Sequence, residues 1–249
     1  MPSALTDYPR PNLAVDLVVL TIPEPAGSRH LELGLVALRR PDGRAVLPGR
    51  FVHERQTIRE TVIELMAEKL SLRPRRSLRV QMIDVYDDPS RDERGWVVSV
   101  AHVTSLLTEH LARLPQETTE VLPLHGRADR GRRITPEPLA YDHDEMVTTA
   151  VRRARRRYER SPDPLGLLRA PYTLSQLRHV HEAVLDEPLK RDTFNRRMLP
   201  YLEAELDSRG EPVLTSETVG RPAQLYRLRR ASVRDAEAGP FPLPRSPRA

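Results

Sequence analysis

Three glutamates, Glu60, Glu64 and Glu68, recur at intervals of four, which places them on one face of a helix that contains them. Carboxylates grouped in this way can hold a divalent cation, and a bound cation can polarise a pyrophosphate and activate water. The same stripe also describes a solvated helix face. A second chemistry lies near the C-terminus, where Arg191, Thr193, Asn195, Arg196 and Arg197 surround Phe194 and Met198. Asn matches the edge of adenine, and Arg matches guanine or phosphate. On a helix buried through Phe194, Met198, Leu199 and Leu202, these polar residues would enter a DNA major groove. Arg221, Gln224 and Arg227 follow on a predicted hairpin and would meet the adjacent groove or backbone. An arginine-rich surface helix of a protein–protein module is the competing reading. The chain has no glycine-rich phosphate loop, no Ser–His–Asp signature and no HExxH. His179 and His181 are two apart, on different helical faces, and lack metal-ligand spacing.

The elements that must position these residues follow from pattern. Residues 13–22, 31–38, 78–86 and 96–103 read as strands. Thr57 and Glu60 form a capping box, and Ile58, Val62, Leu65, Met66 and Leu70 then give a buried stripe. Residues 105–113 read as helical, and 115–140 as a proline-rich, irregular linker with a basic patch at Arg127, Arg130, Arg132 and Arg133. Met146, Val147, Ala150, Val151, Ala154 and Tyr158 lie at helical spacing. Asp142, Asp144 and Glu145 stand at the start of that helix and five arginines between 152 and 157 at its end, a distribution that follows the helix dipole. Those arginines also suit phosphate contact. Thr173 caps a helix carrying Leu174, Leu177, Val180, Val184 and Leu185; Pro188 breaks it, and a second helix starts near Asp192. A short strand at 212–215 and another at 223–228 complete a winged helix-turn-helix. Residues 231–249 read as a disordered tail.

Composition sets bounds. The chain has 249 residues, 39% hydrophobic and 30% charged, with no cysteine and a net charge of +5. Disulfides and thiolate metal sites are therefore excluded. No apolar run approaches eighteen residues and no secretory signal is visible, so a cytoplasmic protein with no membrane span is expected. Lys69 and Lys190 are the only lysines among 40 basic residues; a GC-rich genome accounts for that bias, so arginine content alone says little about nucleic acid. Residues 141–249 hold 20 basic and 16 acidic side chains, against 20 and 19 in residues 1–140. The excess thus sits in the C-terminal half, as DNA binding requires.

Residues 47–72, LPGRFVHERQTIRETVIELMAEKLSL, resemble the signature loop and helix of Nudix hydrolases. Leu47, Pro48, Gly49, Phe51, Val52, Ile58, Met66 and Leu72 keep its packing frame. Gln56 stands for the first Glu, Glu64–Leu65 for the Arg-Glu pair, Glu68–Lys69 for the Glu-Glu pair, Arg50 for the second Gly of the loop and Ser71 for the last Gly. Residues 87–102 look like the strand-connecting segment of ADP-ribose-type Nudix proteins. The resemblance implies an α/β/α sandwich with a mixed sheet, here without catalytic residues and without a metal site. Arg50, Phe51, His53, Arg91 and Asp92 are the candidate ligand contacts. Phe51 equally suits core packing, and His53, Arg91 and Asp92 equally suit the surface.

Taken in order, LPGRFV, LAYDHDEM, YTLSQLRHVHEAVL, TFNRRML and GRPAQLYR resemble the Nudix-related transcriptional regulator (NrtR) family over most of residues 13–230. That resemblance implies a non-catalytic effector-sensing Nudix-like domain at 1–140 and a winged helix-turn-helix DNA-binding domain, with its leading linker helix, at 141–230. It further implies a homodimeric repressor of NAD biosynthesis or salvage genes on a near-palindromic double-stranded operator. ADP-ribose or a related NAD-derived nucleotide would be the effector, with no cofactor. Two other readings fit the same residues. One is an active ADP-ribose pyrophosphatase with a DNA-binding appendage, using Glu60, Glu64 and Glu68. The other is a constitutive repressor whose Nudix-like domain only dimerises.

Overall fold

Residues 8–24, 30–73, 79–129, 131–215 and 222–229 are described in a computed structural model. Strand β1 (Asn12–Thr21) is central to a seven-stranded sheet. It pairs in parallel with β6 (Val97–Leu106) and antiparallel with β2 (Gly34–Arg39) and β4 (Gly49–Phe51). The short β3 (Ala45–Val46) extends the sheet beyond β2, and β5 (Gln81–Tyr86) extends it beyond β6. The sheet is therefore mixed, as the Nudix resemblance implies.

The strand NLAVDLVVLT is apolar on both faces, the pattern of a strand covered on both sides. Val15, Leu17 and Val19 pack with Val62, Leu65, Met66 and Leu70 of helix α1 (Ile58–Leu70). Val18, Leu20 and Ile22 turn the other way, into a cluster with Met146, Val147, Ala150, Val151, Ala154 and Tyr158. Those six residues belong to α3 (His143–Tyr158), and all are buried, as their spacing predicts. The result is an α/β/α sandwich. Thr57 and Glu60 cap α1 reciprocally, and Ser71 ends it in the left-handed region.

Several expectations need correction. Residues 115–140 are not all irregular: β7 (Thr119–Pro123) pairs antiparallel with β2 and buries Leu122. Flanking prolines and polar residues masked this strand, which is stable because β2 offers it an edge. The helix expected at 105–113 shrinks to α2 (Thr108–Leu111), the preceding residues being the end of β6. The arginines of α3 do not form one free basic face. Arg155 donates to the carbonyls of Val184 and Gly126, and Arg157 to Gln81 and the Pro164 carbonyl. Arg127, Arg132 and Arg133 are exposed; Arg130 and the 231–249 tail lie outside the described residues.

The C-terminal part begins with β8 (Tyr172–Thr173), which leads directly into α4 (Leu174–Leu185) through a Thr173–Gln176 capping box. Asp186 ends α4 in the left-handed region, and α5 (Arg191–Met198) follows. Strands β9 (Leu202–Ala204), β10 (Leu214–Thr215) and β11 (Ala223–Leu228) complete a four-stranded sheet with β8. This is a winged helix-turn-helix. Tyr172, Leu177, Phe194, Met198 and Leu202 form its core. Leu202 is buried from β9 rather than from α5, and Leu199 is exposed, because the chain tightens into a 3-10 turn at Leu199–Tyr201. Pro200, which cannot continue an α-helical hydrogen-bond ladder, accounts for that turn.

Candidate functional site: a charged cleft and a helix-turn-helix face

A cleft of about 390 Å³ opens beside β1 and β4. Its floor is a buried polar network. Asp16 interrupts the apolar β1 and accepts a hydrogen bond from Ser99 Oγ at 2.6 Å. Its Oδ2 lies 3.5 Å from Arg91 Nη2, and its Oδ1 lies 3.6 Å from His143 Nε2. Leu47 N–H donates to His143 Nδ1 at 3.0 Å, which assigns the ring proton of the neutral imidazole to Nε2, facing Asp16. Burial lowers the His143 pKa, with Asp16 opposing that shift, so the ring is neutral near pH 7. Gly49 is required here: a Cβ on it would stand 2.3 Å from Asp16 Oδ1.

Arg91 reaches out of this floor to the next element. Its Nε and Nη2 donate to Asp142 Oδ2 and Oδ1 at 2.7 and 2.6 Å. This two-point geometry is the strong form of an Arg–carboxylate pair. Asp142 immediately precedes α3 and makes no side-chain cap. Asp144 instead accepts from Thr135 Oγ1 and Leu139 N. The acidic start of α3 is thus a set of specific anchors as well as a match to the helix dipole.

The rim of the cleft carries Arg40, Lys69, Arg94 and the rings of Phe51 and Tyr141. The Arg94 guanidinium lies 5.4 Å from the Phe51 ring and 5.2 Å from the Tyr141 ring, and Arg40 lies 5.3 Å from Tyr141. Asp92 holds Arg94 through two hydrogen bonds, at 2.9 and 2.7 Å, and this partner keeps the Asp92 carboxyl below its usual pKa. Flat rings and fixed cations in one concave site suit a ligand with an aromatic base and a phosphate group. Of the residues expected from sequence, Arg50, Phe51, Arg91 and Asp92 line this cleft. His53 does not: it is exposed on the loop beyond β4, where its N–H bonds Gln56. Sequence reasoning missed Asp16, Arg40, Arg94, Tyr141 and His143. One signal was available, because a lone Asp inside a ten-residue apolar strand needs a partner.

The divalent cation that the Nudix resemblance would bring does not fit these residues. Glu60 is used in the α1 cap, where the Thr57 backbone N–H, followed by its hydroxyl, lowers the carboxyl pKa. Glu64 accepts from Arg50 Nη2 at 2.8 Å and from Gln56 Nε2 at 2.7 Å, while Glu68 pairs with Arg50 Nη1. Leu65 is buried in the core and Lys69 brings a positive charge to the cleft. Among the described residues, no group of three or more His, Cys, Asp or Glu could hold a metal ion.

The second surface is α5. Arg191, Thr193, Arg196 and Arg197 are exposed and Asn195 is half-buried, while Phe194 and Met198 point inward. Arg197 is not free: its Nη2 donates to the carbonyl of Glu159, just past α3. On the wing, Arg227 pairs with Glu205, and Gln224 accepts from Tyr226 Oη. Arg221 lies outside the described residues. Beneath α5, His181 is packed edge-on between Tyr158 and Phe194, with ring centroids 4.8 and 4.9 Å away. Burial pushes its pKa down to about 3, and its Nε2 accepts from Asp163 N–H. His181 is thus a packing residue, and α3 touches the helix-turn-helix through it.

Comparison with known proteins agrees with this architecture. A family model described as the NrtR DNA-binding winged helix domain matches residues 164–228. A protein of Acinetobacter baylyi, the ADPR responsive transcriptional repressor NtrR, is 24% identical over 228 residues, covering 90% of this chain and 84% of its own. Shewanella oneidensis NrtR complexed with a 27mer DNA superposes with a TM-score of 0.69 at 27% identity, covering 89% of this chain and 95% of that one. A MutT/nudix family protein from Enterococcus faecalis has the same fold, with a TM-score of 0.72 at 23% identity, covering 91% and 90% of the two chains. With a Nudix-like sandwich followed by a winged helix that matches the NrtR DNA-binding model over residues 164–228, the chain is similar in sequence and architecture to NrtR regulators.

Proposed function

We propose that this protein is a DNA-binding transcriptional repressor whose Nudix-like cleft senses ADP-ribose or a related NAD-derived nucleotide. The observation that carries the reading is the continuous path from cleft to α5. Arg91 joins the cleft floor to Asp142 at the start of α3. The far end of α3 meets α5 through Tyr158, His181 and Phe194, and through Glu159 and Arg197. A ligand in the cleft contacts the same side chains that hold one end of α3. An effector shifts an equilibrium only by its differential affinity for the two states; in this proposal α3 is the element that responds. The Acinetobacter relative, a repressor responsive to ADPR, and the DNA complex of the Shewanella protein support both halves of the reading.

In this proposal residues 1–140 together with Tyr141, Asp142, His143 and the rest of α3 sense the effector, and the winged helix-turn-helix from β8 onward binds DNA. The protein acts in the cytoplasm as a homodimer on a near-palindromic operator upstream of NAD biosynthesis or salvage genes. It binds its nucleotide without cleaving it. Arg191, Thr193, Asn195 and Arg196 meet bases or phosphates from α5, with Arg221, Gln224 and Arg227 on the wing. A gel-shift titration on the upstream regions of NAD-biosynthetic genes, with and without ADP-ribose, tests the proposal. Specific retardation that ADP-ribose alters supports it; no specific retardation in any of those regions refutes the target assignment.

A further inference from the structure

We propose that Arg50 is a resident cation that takes over the carboxylates a Nudix protein would assign to a divalent metal, so that this cleft takes a diphosphate-bearing ligand without a metal ion. The inference rests on the nucleotide-sensing reading above for the identity of the ligand. Glu68 is the carboxylate remaining at a metal-ligand position of the signature, and Glu64 lies one helical turn before it. Arg50 projects from β4 across to both, one Nη on each. The Arg50 side chain is only 16% exposed, whereas Glu64 and Glu68 are 43% and 53% exposed, so the guanidinium is fixed in the fold and solvent screens the carboxylate end. Gln56 occupies the same Glu64 oxygen from the other side. The Oε2 atom of each carboxylate is thus taken by Arg50, which leaves at most one oxygen of each, and Mg²⁺ demands near-octahedral oxygen coordination.

Charge argues the same way. A divalent ion placed beside Glu68 would face the Arg50 guanidinium at close range, and Lys69 lies in the same cleft. At a given separation a divalent ion is repelled by a resident cation twice as strongly as a monovalent one. A guanidinium also stays protonated under all working conditions and generates no hydroxide nucleophile. It keeps the acidic helix face neutralised for an incoming anion but supplies no means of cleaving it. Lys69, with Arg40 and Arg94 held in place by Asp42 and Asp92, would meet the diphosphate directly.

The test is a Mn²⁺ titration of the full-length protein by electron paramagnetic resonance, with no nucleotide present. Wild type should show no stoichiometric site, and Arg50→Gln should bind Mn²⁺ at least about tenfold more tightly. Arg50→Lys, which keeps the cation, should behave as wild type, and Glu68→Gln added to Arg50→Gln should remove the gain. A micromolar Mn²⁺ site in wild type that Glu68→Gln abolishes overturns the proposal, as does an Arg50→Gln protein with unchanged affinity. A parallel calorimetric titration with ADP-ribose should give the same affinity in EDTA and in Mg²⁺; binding that requires Mg²⁺ also overturns it. Absence of ADP-ribose binding in both buffers would instead refute the nucleotide-sensing reading, leaving the Mn²⁺ result to decide the role of Arg50.

Discussion

Arg91 and Asp142 form a part-buried two-point ion pair, with N–O distances of 2.7 and 2.6 Å, that ties the loop after β5 to the residue preceding α3. Fifty-one positions separate them in the chain. The Arg91 side chain is almost fully buried, and Asp16 flanks it on the other side. Removing one member leaves a buried charge without its partner. Arg91→Ala should therefore destabilise the protein by about 3 kcal/mol in urea denaturation. Arg91→Lys should retain part of that stability yet lose the two-point geometry. In gel shifts, both variants should respond less to ADP-ribose than wild type while their unliganded operator affinity changes little. An undiminished response in both would disconnect this pair from signalling.

Gly49 should tolerate no side chain. The Cβ of Gly49→Ala would lie 2.3 Å from Asp16 Oδ1. The atoms nearest that Cβ belong to the Asp16 side chain, so the strain falls on Asp16 and its partners Ser99 and Arg91. A loss of roughly 1–3 kcal/mol in denaturation is expected, together with weaker nucleotide binding by calorimetry. A fully stable Gly49→Ala protein would mean that Asp16 has room to move.

The two neighbouring arginines of α5 should separate. Arg196 is exposed and opposite Phe194, so Arg196→Ala should weaken operator binding by about 1–3 kcal/mol in anisotropy titrations if a base contact is lost. Arg197 is held by the Glu159 carbonyl. Its removal should alter the response to the effector more than the affinity for DNA. Equal losses of affinity in both variants would show that Arg197 leaves Glu159 in the complex.

Acid should destabilise the packing under α5 through His181. Its pKa is near 6.5 when unfolded and about 3 in the fold. The neutral ring is favoured in the folded state, so its contribution is full above about pH 6.5 and is lost as pH falls toward 3. The slope from this group alone approaches about 1.4 kcal/mol per pH unit between those limits. His181→Gln should flatten that part of a stability profile measured by urea denaturation. An unchanged acid limb would exclude His181 as its source.

Incubation with ADP-ribose and Mg²⁺ or Mn²⁺ should release no AMP, because Glu60 serves the helix cap and Glu64 and Glu68 serve Arg50. Turnover that Glu68→Ala abolishes would establish a working hydrolase instead.

Local order was legible in the sequence because its causes are local. The capping boxes Thr57–Glu60 and Thr173–Gln176, the buried stripe of α3 and the doubly apolar β1 each depend on spacing within a few residues. The winged helix could be read the same way, as could Arg50, Phe51, Arg91 and Asp92 as parts of the cleft. Tertiary structure alone decided which charges meet. Glu60, Glu64 and Glu68 share a helical repeat, yet one caps α1 and two face Arg50, because β4 lies across α1 only after β1 has paired it into the sheet. Likewise β7 becomes a strand through the edge of β2, and His53 falls outside the cleft where the chain turns away after β4. Asp16, Ser99, Arg91, Asp142 and His143 come together only through the parallel pairing of β1 with β6 and the packing of α3 on the sheet. Helical and strand periodicities specify which face a residue takes. The charge partner across that face is set by topology, over separations that no local pattern encodes.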